Sequence, residues 1–518
     1  MSVLPSASGK NVKIYDAVVV GAGFAGMYML YKLRELGLTA RVYDEASDVG
    51  GTWYWNRYPG ARCDIESMQY SYSFSEELQD EWDWSERYAA QPEILRYAKH
   101  VADRFDLRSD IQFETRVDRA DFNEHGNIWS LALSDGSAVT ARYVVLATGS
   151  LSSARLPDIK GMANFAGEIY HTGRWPHEPV DFAGKRVGLI GTGSSGVQTV
   201  PVVAKEADHL TVFQRTANFS LPARNARLTD EERQAIRAKY PEIRRVQREQ
   251  SRTGVYVTPP DRGALDDPEE VRRAKYEAQW NTGGLPFLSL YRDFMVNKAA
   301  NDTAAEFVRE KILEAVDDEE TARKLLPTTH PLGTKRICLD TDYFETFNRS
   351  NVALADISAN PISEILPNGL RTTEKDYELD ALIFATGFDA ITGSILKIDI
   401  HGRRGLSMRE KWADGPRANL GLMSAGFPNL FIITGPGSPA GLTNAIVSIE
   451  QNVEWISDCL NYMRDHGLEI VEADKDAEAK WVDHVNEVAS RTLYPLANSW
   501  FMGANIPGKP RVFMPYFE

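Results

Sequence analysis

Residues 16–46 read DAVVVGAGFAGMYMLYKLRELGLTARVYDEA and decide the fold. The apolar run AVVV predicts a buried strand, which a glycine turn joins to an amphipathic helix and a second strand. Gly21, Gly23 and Gly26 have the GxGxxG spacing, which allows a tight turn, a close approach to a pyrophosphate and close helix–strand packing. Asp44 follows about 20 residues further on, where a carboxylate can bind a ribose hydroxyl. The segment therefore predicts a βαβ unit that binds an adenine dinucleotide.

A second copy of this pattern occupies residues 185–217, KRVGLIGTGSSGVQTVPVVAKEADHLTVFQRTA. Where the first unit has Asp44, this unit has Arg215 and Thr216. A guanidinium there suits a 2′-phosphate, so the second unit favours NADP over NAD. One FAD and one NADPH is the economical assignment for the two units. The residues predicted to bind coenzyme in the second unit are Gly191, Gly193, Ser194, Ser195, Gly196, Arg215 and Thr216.

The composition is that of a globular protein, with 43% hydrophobic and 25% charged residues in a chain of 518. This length is enough for about two to four domains. The net charge of −15 repels phosphate backbones and anionic lipid, so we expect neither nucleic acid nor a membrane as a partner. The apolar segment near the N-terminus is too short to cross a bilayer and carries glycines, so we expect no signal peptide.

The three cysteines, Cys63, Cys338 and Cys459, lie far apart and form no CxxC pair. This spacing argues against a disulfide scaffold, a disulfide reductase and a zinc knuckle, and it predicts no metal site. We therefore expect a reducing cytoplasm as the setting. We also expect a monomer or a weak homo-oligomer that acts on a small molecule.

Two further apolar strands, at residues 143–147 and 381–385, each end in Ala-Thr-Gly. In flavoproteins with two dinucleotide sites, such strands mark where the chain passes between domains. The predicted fold is α/β, with two Rossmann-like domains and a helical insertion in the second. We expect the FAD domain at residues 1–150 and 385–518, the NADP domain at 151–221 and 331–384, and the insertion at 222–330.

Helix-start signals distinguish the predicted insertion from the rest of the chain. Thr229 and Glu232 have the spacing of a capping box. Asp267 followed by Pro268 predicts an N-cap with proline at the first helical position. Pro327 is expected to end the last helix.

Two longer motifs link the glycine turns to a known family. The pattern FxGxxxHxxxWP is matched by Phe165, Gly167, His171, Trp175 and Pro176. The pattern GxWxxxxYPGxxxD is matched by Gly51, Trp53, Tyr58, Pro59, Gly60 and Asp64. With these motifs the chain resembles the type I flavoprotein Baeyer–Villiger monooxygenases along nearly its whole length, and within them the phenylacetone, steroid and cyclohexanone monooxygenases.

The resemblance implies that NADPH and O₂ oxidise a ketone to an ester or lactone by way of a C4a-peroxyflavin. Because the peroxide and the tetrahedral adduct are anions, the site needs a permanent cation in a pocket that excludes water. The family motif gives this role to Arg336, with Asp64 orienting the guanidinium. Lys335 is implied to join Arg215 and Thr216 at the NADP phosphate.

The family motifs imply roles for further residues. His171 is expected to couple domain motion to catalysis by hydrogen bonding, and Trp175 to pack in the core. Trp500 resembles a tryptophan on a loop that folds over NADP, with core packing as the alternative. Additional cofactor contacts are implied for Gly51, Thr52, Trp53, Tyr58 and Asp64, and a substrate-pocket loop for Ala440, Gly441 and Leu442.

Two other functions remain as alternatives. An N- or S-oxygenating flavin monooxygenase shares both glycine turns but usually has other residues where Trp175 and Pro176 stand. A nucleotide-binding protein without turnover would need neither Asp64 nor Arg336. The motifs therefore favour ketone oxygenation.

Overall fold

The computed structural model describes residues 14–517. In chain order its strands are β1 (Ile14–Val20), β2 (Ala40–Tyr43), β3 (Ile111–Gln112), β4 (Val117–Asn123), β5 (Ile128–Leu133), β6 (Ala138–Leu146), β7 (Glu168–His171), β8 (Arg186–Ile190), β9 (His209–Gln214), β10 (Ser220–Pro222), β11 (Cys338–Asp340), β12 (Val352–Asp356), β13 (Ile362–Leu366), β14 (Gly369–Thr372), β15 (Asp376–Glu378), β16 (Ala381–Phe384), β17 (Asp399–His401) and β18 (Leu430–Ile432). Its α-helices are α1 (Phe24–Glu35), α2 (Thr52–Trp55), α3 (Glu76–Glu81), α4 (Gln91–Arg104), α5 (Ser194–Glu206), α6 (Asp230–Arg237), α7 (Tyr240–Glu249), α8 (Glu269–Thr282), α9 (Lys298–Ala315), α10 (Glu319–Leu325), α11 (Gly393–Leu396), α12 (Met408–Lys411), α13 (Ala445–Asp465) and α14 (Lys475–Ser490).

Each glycine turn belongs to its own sheet. The first sheet has the strand order β17-β4-β5-β6-β1-β2-β3, with β18 also paired to β6. The second sheet has the order β12-β9-β8-β16-β7, and all of its neighbouring strands are parallel. We call these sheets and their helices the first and second units. The two strands that lead into Ala-Thr-Gly are β6 and β16, which lie beside β1 and β8. The predicted α/β class with two dinucleotide-binding folds is confirmed.

Both glycine turns require glycine at the first and third positions of the motif. Gly21 and Gly191 have φ of 107° and 113°, a region that favours glycine. A Cβ on Gly26 would lie 1.8 Å from the Gly21 carbonyl oxygen, and one on Gly196 would lie 2.1 Å from that of Gly191. The third glycine of each motif therefore lets the helix begin directly against the end of its strand.

The helices of residues 222–330 divide between the two cores: Tyr240 of α7 is buried in the core of the first unit, whereas α8 and α9 pack on the second unit. Phe287, Phe294 and Phe307 are buried in the same hydrophobic core as Val187 and Leu189 of β8. These aromatic rings fill the space between α8, α9 and the sheet, which fixes these two helices in place. Within the predicted insertion, α8 and α9 thus form a layer on the second unit, whereas α7 contacts the first unit through hydrogen bonds from Arg244 to Ser71 and from Arg248 to Glu454.

One of the two predicted helix caps is confirmed and the other is wrong. Thr229 and Glu232 form the predicted capping box at the start of α6. At α8 the N-cap is Pro268, and Asp267 caps nothing. The Asp267 carboxylate instead accepts hydrogen bonds from Lys275 Nζ and Tyr291 Oη, both at 2.7 Å. A cationic donor offers a stronger hydrogen bond than a helix N–H, which explains the difference.

The glycine contacts predict a difference between two substitutions in one motif. Gly196→Ala should lower the free energy of unfolding by about 1–3 kcal/mol, because its Cβ overlaps the Gly191 carbonyl. Gly193→Ala should change it by less than about 1 kcal/mol, since nothing lies within 4 Å of a Cβ there and its φ is −82°, which leaves only the weaker N-cap preference of alanine. Urea unfolding of both variants measures this, and equal stabilities would contradict the packing assigned to Gly196.

Candidate active site

Arg336 and Asp64 form an ion pair that joins the two units. The guanidinium Nη2 and Nε lie 2.7 Å and 3.0 Å from Asp64 Oδ2. Burial alone would lower the pKa of Arg336, but the charge of Asp64 and its hydrogen bonds outweigh burial, so this pKa is raised. The guanidinium therefore keeps its positive charge at every pH at which the protein is folded.

A second contact fixes the other end of the guanidinium. Arg336 Nη1 donates a hydrogen bond of 3.0 Å to the Gly441 carbonyl oxygen. Gly441 has φ of 84°, and a Cβ there would lie 2.6 Å from the Trp500 ring. The structure thus brings Arg336, Gly441 and Trp500 together, and Trp500 also packs against Phe501 with 4.2 Å between ring centroids.

A small apolar cavity opens beside this guanidinium. It has a volume of about 90 Å³, and Arg336 is the one charged side chain among the described residues that line it. Gly441 and Leu442 also line the cavity, whereas Ala440 is 4% exposed and does not. The remaining walls come from both units, the segment 222–330 and the late part of the chain. They are Ile65, Thr253, Val255, Val257, Leu285, Pro286, Leu288, Ser289, Gly333, Ile337, Thr443, Tyr494 and Phe501.

In the first unit, the glycine turn lies against a second glycine segment. A Cβ on Gly51 would lie 2.9 Å from the Cα of Gly23, so two glycine segments face each other without side chains between them. Asp44 is buried and accepts hydrogen bonds from the backbone N–H groups of Ala22 and Ala46 at 2.5 Å and 2.8 Å. Burial raises the pKa of Asp44, and these two hydrogen bonds offset part of the rise.

The neighbouring segment places its predicted residues differently. Thr52 is exposed at the start of α2. Trp53 is buried, and its indole Nε1 donates to Tyr70 Oη at 3.1 Å. Tyr58 lies at the boundary between the units, where its phenol donates a hydrogen bond to Gln198 on α5 of the second unit.

The second unit presents cations that no carboxylate neutralises. Within residues 14–517, neither Arg215 nor Lys335 has an ion-pair partner. Burial lowers the pKa of Lys335, and the nearby charge of Arg215 lowers it further. Arg215 and Thr216 line a cavity of about 570 Å³. Ser194 and Ser195 form the first turn of α5, where backbone N–H groups have no helical partners.

His171 lies at the end of β7, outside the apolar cavity. Its Nδ1 accepts a hydrogen bond of 2.9 Å from the Gly173 N–H, and its Nε2 lies 3.4 Å from Thr386 Oγ1. The pKa of His171 is lowered, mainly by burial. A hydrogen bond with the backbone of Arg155 opposes this shift, and the charge of Arg174 adds to it. The imidazole thus links β7 to the segment that follows β16.

The other residues of this motif shape the edge of the second sheet. A Cβ on Gly167 would lie 2.3 Å from the Asp380 carbonyl and 2.7 Å from the Phe165 ring. Trp175 is buried and stacks on Tyr170, with 5.1 Å between ring centroids. Pro176 follows it and is half-buried. These side chains pack β7 and do not reach the cavity.

Sequence reasoning missed a contact made by Arg174, which lies inside the same motif. Its guanidinium lies 4.0 Å from the centroid of the Trp55 ring and 2.5 Å from Glu45 Oε1. Trp55 and Glu45 belong to the first unit, so this contact crosses between the units. No sequence pattern marks such a pair, because the partners are chosen by the packing of the two sheets.

The described residues contain neither a metal-binding cluster nor a membrane-spanning helix. Between residues 14 and 517, no group of three or more His, Cys, Asp or Glu side chains could hold a metal ion. In the same range no helix has both the length and the apolar character needed to cross a membrane.

Comparisons with known proteins agree with this geometry. Residues 15–246 match the family described as pyridine nucleotide-disulphide oxidoreductase. A Baeyer-Villiger monooxygenase of Pseudooceanicola batsensis is 45% identical over 97% of this chain and 92% of its own length. The phenazine N-monooxygenase of Lysobacter antibioticus is 43% identical over 97% of this chain and 93% of its own.

A solved structure gives the same result. Oxidized steroid monooxygenase bound to NADP matches with a TM-score of 0.93 and 50% identity, over 98% of this chain and 95% of that one. The fold and site thus define a two-dinucleotide flavoprotein oxygenase. The chain belongs to the Baeyer–Villiger monooxygenase family, which confirms the resemblance seen in its motifs.

Proposed function

We propose that this protein is an NADPH- and O₂-dependent flavin monooxygenase that inserts one oxygen atom next to a ketone carbonyl and releases an ester or lactone. The observation that carries the proposal is the position of Arg336. It is held by Asp64 and Gly441 and is the one charge among the described residues of an apolar cavity. The steroid monooxygenase of similar structure binds NADP, which supports the same coenzyme here.

The residues present fit both cofactors. The glycine turn of the first unit and the buried Asp44 suit FAD, whose adenosine ribose a carboxylate can bind. When bound and reduced, FAD supplies the electrons that activate O₂. The second turn, with Arg215, Thr216 and Lys335, suits NADPH, because two cations without carboxylate partners attract a 2′-phosphate.

Arg336 supplies positive charge where negative charge develops on oxygen during insertion. A guanidinium in an apolar cavity stabilises such a charge more strongly than it would in water. Asp64 and Gly441 hold it from two sides, so little reorganisation is needed at the moment of reaction. The apolar walls, including Ile65 and Leu442, exclude water and contact the hydrocarbon part of a ketone.

N-oxygenation is the second candidate, favoured by the similarity to a phenazine N-monooxygenase. Trp175 and Pro176 match the ketone-oxygenating motif and so support the first candidate.

We also propose that the protein works in the cytoplasm as a monomer or weak homo-oligomer. The cytoplasmic location is supported by the three cysteines, which form no disulfide in the structure.

The purified protein should be yellow and should form an ester or lactone from at least one member of a panel of aryl-acetone, small cyclic, long linear and steroid ketones. Arg336→Ala should retain flavin absorbance and lose ester formation by about 100-fold or more, because the developing charge loses its cation. Mass spectrometry of the products, with NADPH consumption followed in parallel, measures both effects.

The matched control is Arg371→Ala, on β14, whose guanidinium pairs with Asp376 on the surface. This variant should form ester at the wild-type rate. Peroxide as the only product with every ketone would contradict the proposed reaction. An Arg336→Ala variant with full ester formation would remove Arg336 from its role.

Arg215→Ala should raise the KM for NADPH about tenfold or more and leave that for NADH nearly unchanged, because only NADPH carries the 2′-phosphate. Steady-state kinetics with the two coenzymes measure this. An equal rise for both coenzymes would contradict the phosphate assignment.

A further inference from the structure

Gln198 on α5 makes three hydrogen bonds to a loop of the first unit. Its Oε1 accepts from Tyr58 Oη at 2.9 Å and from the Arg62 N–H at 3.4 Å. Its Nε2 donates to the Arg62 carbonyl oxygen at 3.1 Å. A single amide side chain therefore satisfies both backbone groups of Arg62 and the half-buried phenol of Tyr58 across the boundary between the units.

The backbone confirms how closely this loop lies on the helix. Gly60 has φ of 82°, and a Cβ there would lie 2.2 Å from the Gln198 carbonyl oxygen. No other residue type fits this position without moving the loop or the helix. Burial also raises the pKa of Tyr58, and a hydrogen bond with Ser195 on the same helix offsets part of the rise.

The opposite side of the loop is held by the first unit. The Gln91 N–H donates to the Ala61 carbonyl at 2.8 Å, and the Cys63 N–H donates to the Ala89 carbonyl at 3.1 Å. The loop is thus fixed between the start of α4 and Gln198. The next residue after Cys63 is Asp64, which holds Arg336.

We propose that Gln198 is a positioning residue for oxygen insertion, which transmits the position of the coenzyme-binding helix α5 to Asp64 and Arg336. This inference rests on the proposed function. Gln198 is outside the set of residues that line the apolar cavity, and it acts through the loop of residues 58–64. The amide serves because it offers an acceptor and a donor at once, as the two backbone groups of Arg62 require.

Removing the amide leaves the Arg62 carbonyl without its donor and Tyr58 without its acceptor. Unpaired polar groups at a packed boundary draw water or shift the backbone to find partners. Either response displaces Asp64, whose hydrogen bonds to Arg336 require a fixed distance and direction. The two cations assigned to the 2′-phosphate, Arg215 and Lys335, form no ion pair with this loop among residues 14–517.

The test compares Gln198→Met with Gln112→Met in the FAD-loaded enzyme. Methionine keeps the length of the side chain and removes its hydrogen bonds. Gln112 is a half-buried glutamine of β3, whose amide hydrogen-bonds Thr115 and Asp135 within residues 14–517 and crosses no boundary between the units, so it is a matched control. We expect Gln198→Met to lower kcat for ester formation about tenfold, with more peroxide released per NADPH and a KM for NADPH within about twofold of wild type.

A double substitution with Tyr58→Phe tests whether the effect passes through the loop. Because both changes break the same hydrogen bond, the double variant should lose less than the product of the two single losses. Ester formation by Gln198→Met at the wild-type rate, or a rise in the KM for NADPH as large as the loss in kcat, would overturn the inference. So would an effect equal to that of Gln112→Met. Wild-type enzyme that forms no ester from any ketone would instead refute the proposed function.

Discussion

The ion pair of Arg336 and Asp64 is the contact on which the site depends. Its partners are 272 residues apart in the chain and belong to different units, so it forms only when both units have folded and met. Both side chains are about three-quarters buried. A lone charge there would carry a desolvation cost of several kcal/mol, which the partner offsets. The ion pair therefore makes it energetically possible to keep a cation beside an apolar cavity.

Steric constraints on glycine set the frame around this pair. The two turns allow α1 and α5 to start directly against β1 and β8. The first N–H groups of each helix then have no helical partners, an arrangement that suits phosphate binding. Gly60 and Gly441 likewise allow close contacts at the site, because a Cβ at either position would overlap a neighbouring atom. One lets the Asp64 loop lie on α5, and the other lets a carbonyl reach Arg336 beneath the Trp500 ring.

The sequence predicted the glycine turns and both βαβ units because their constraints are local. Gly21, Gly26 and Asp44 lie within one supersecondary unit, and each position has a steric or polar requirement that spacing alone expresses. Family motifs supplied Arg336 and Asp64, since no local pattern links residues so far apart. The cavity walls, the Asp267 contacts and the pairing of Arg174 with Glu45 could not be predicted, because each depends on how separate elements pack.

The most direct test of the central claim is a crystal structure of the enzyme with FAD and NADP bound. The account predicts that the Arg336 guanidinium, still paired with Asp64, faces the reactive ring of the flavin across the apolar cavity. A guanidinium directed to bulk solvent and remote from that ring, in every cofactor-loaded state, would contradict it.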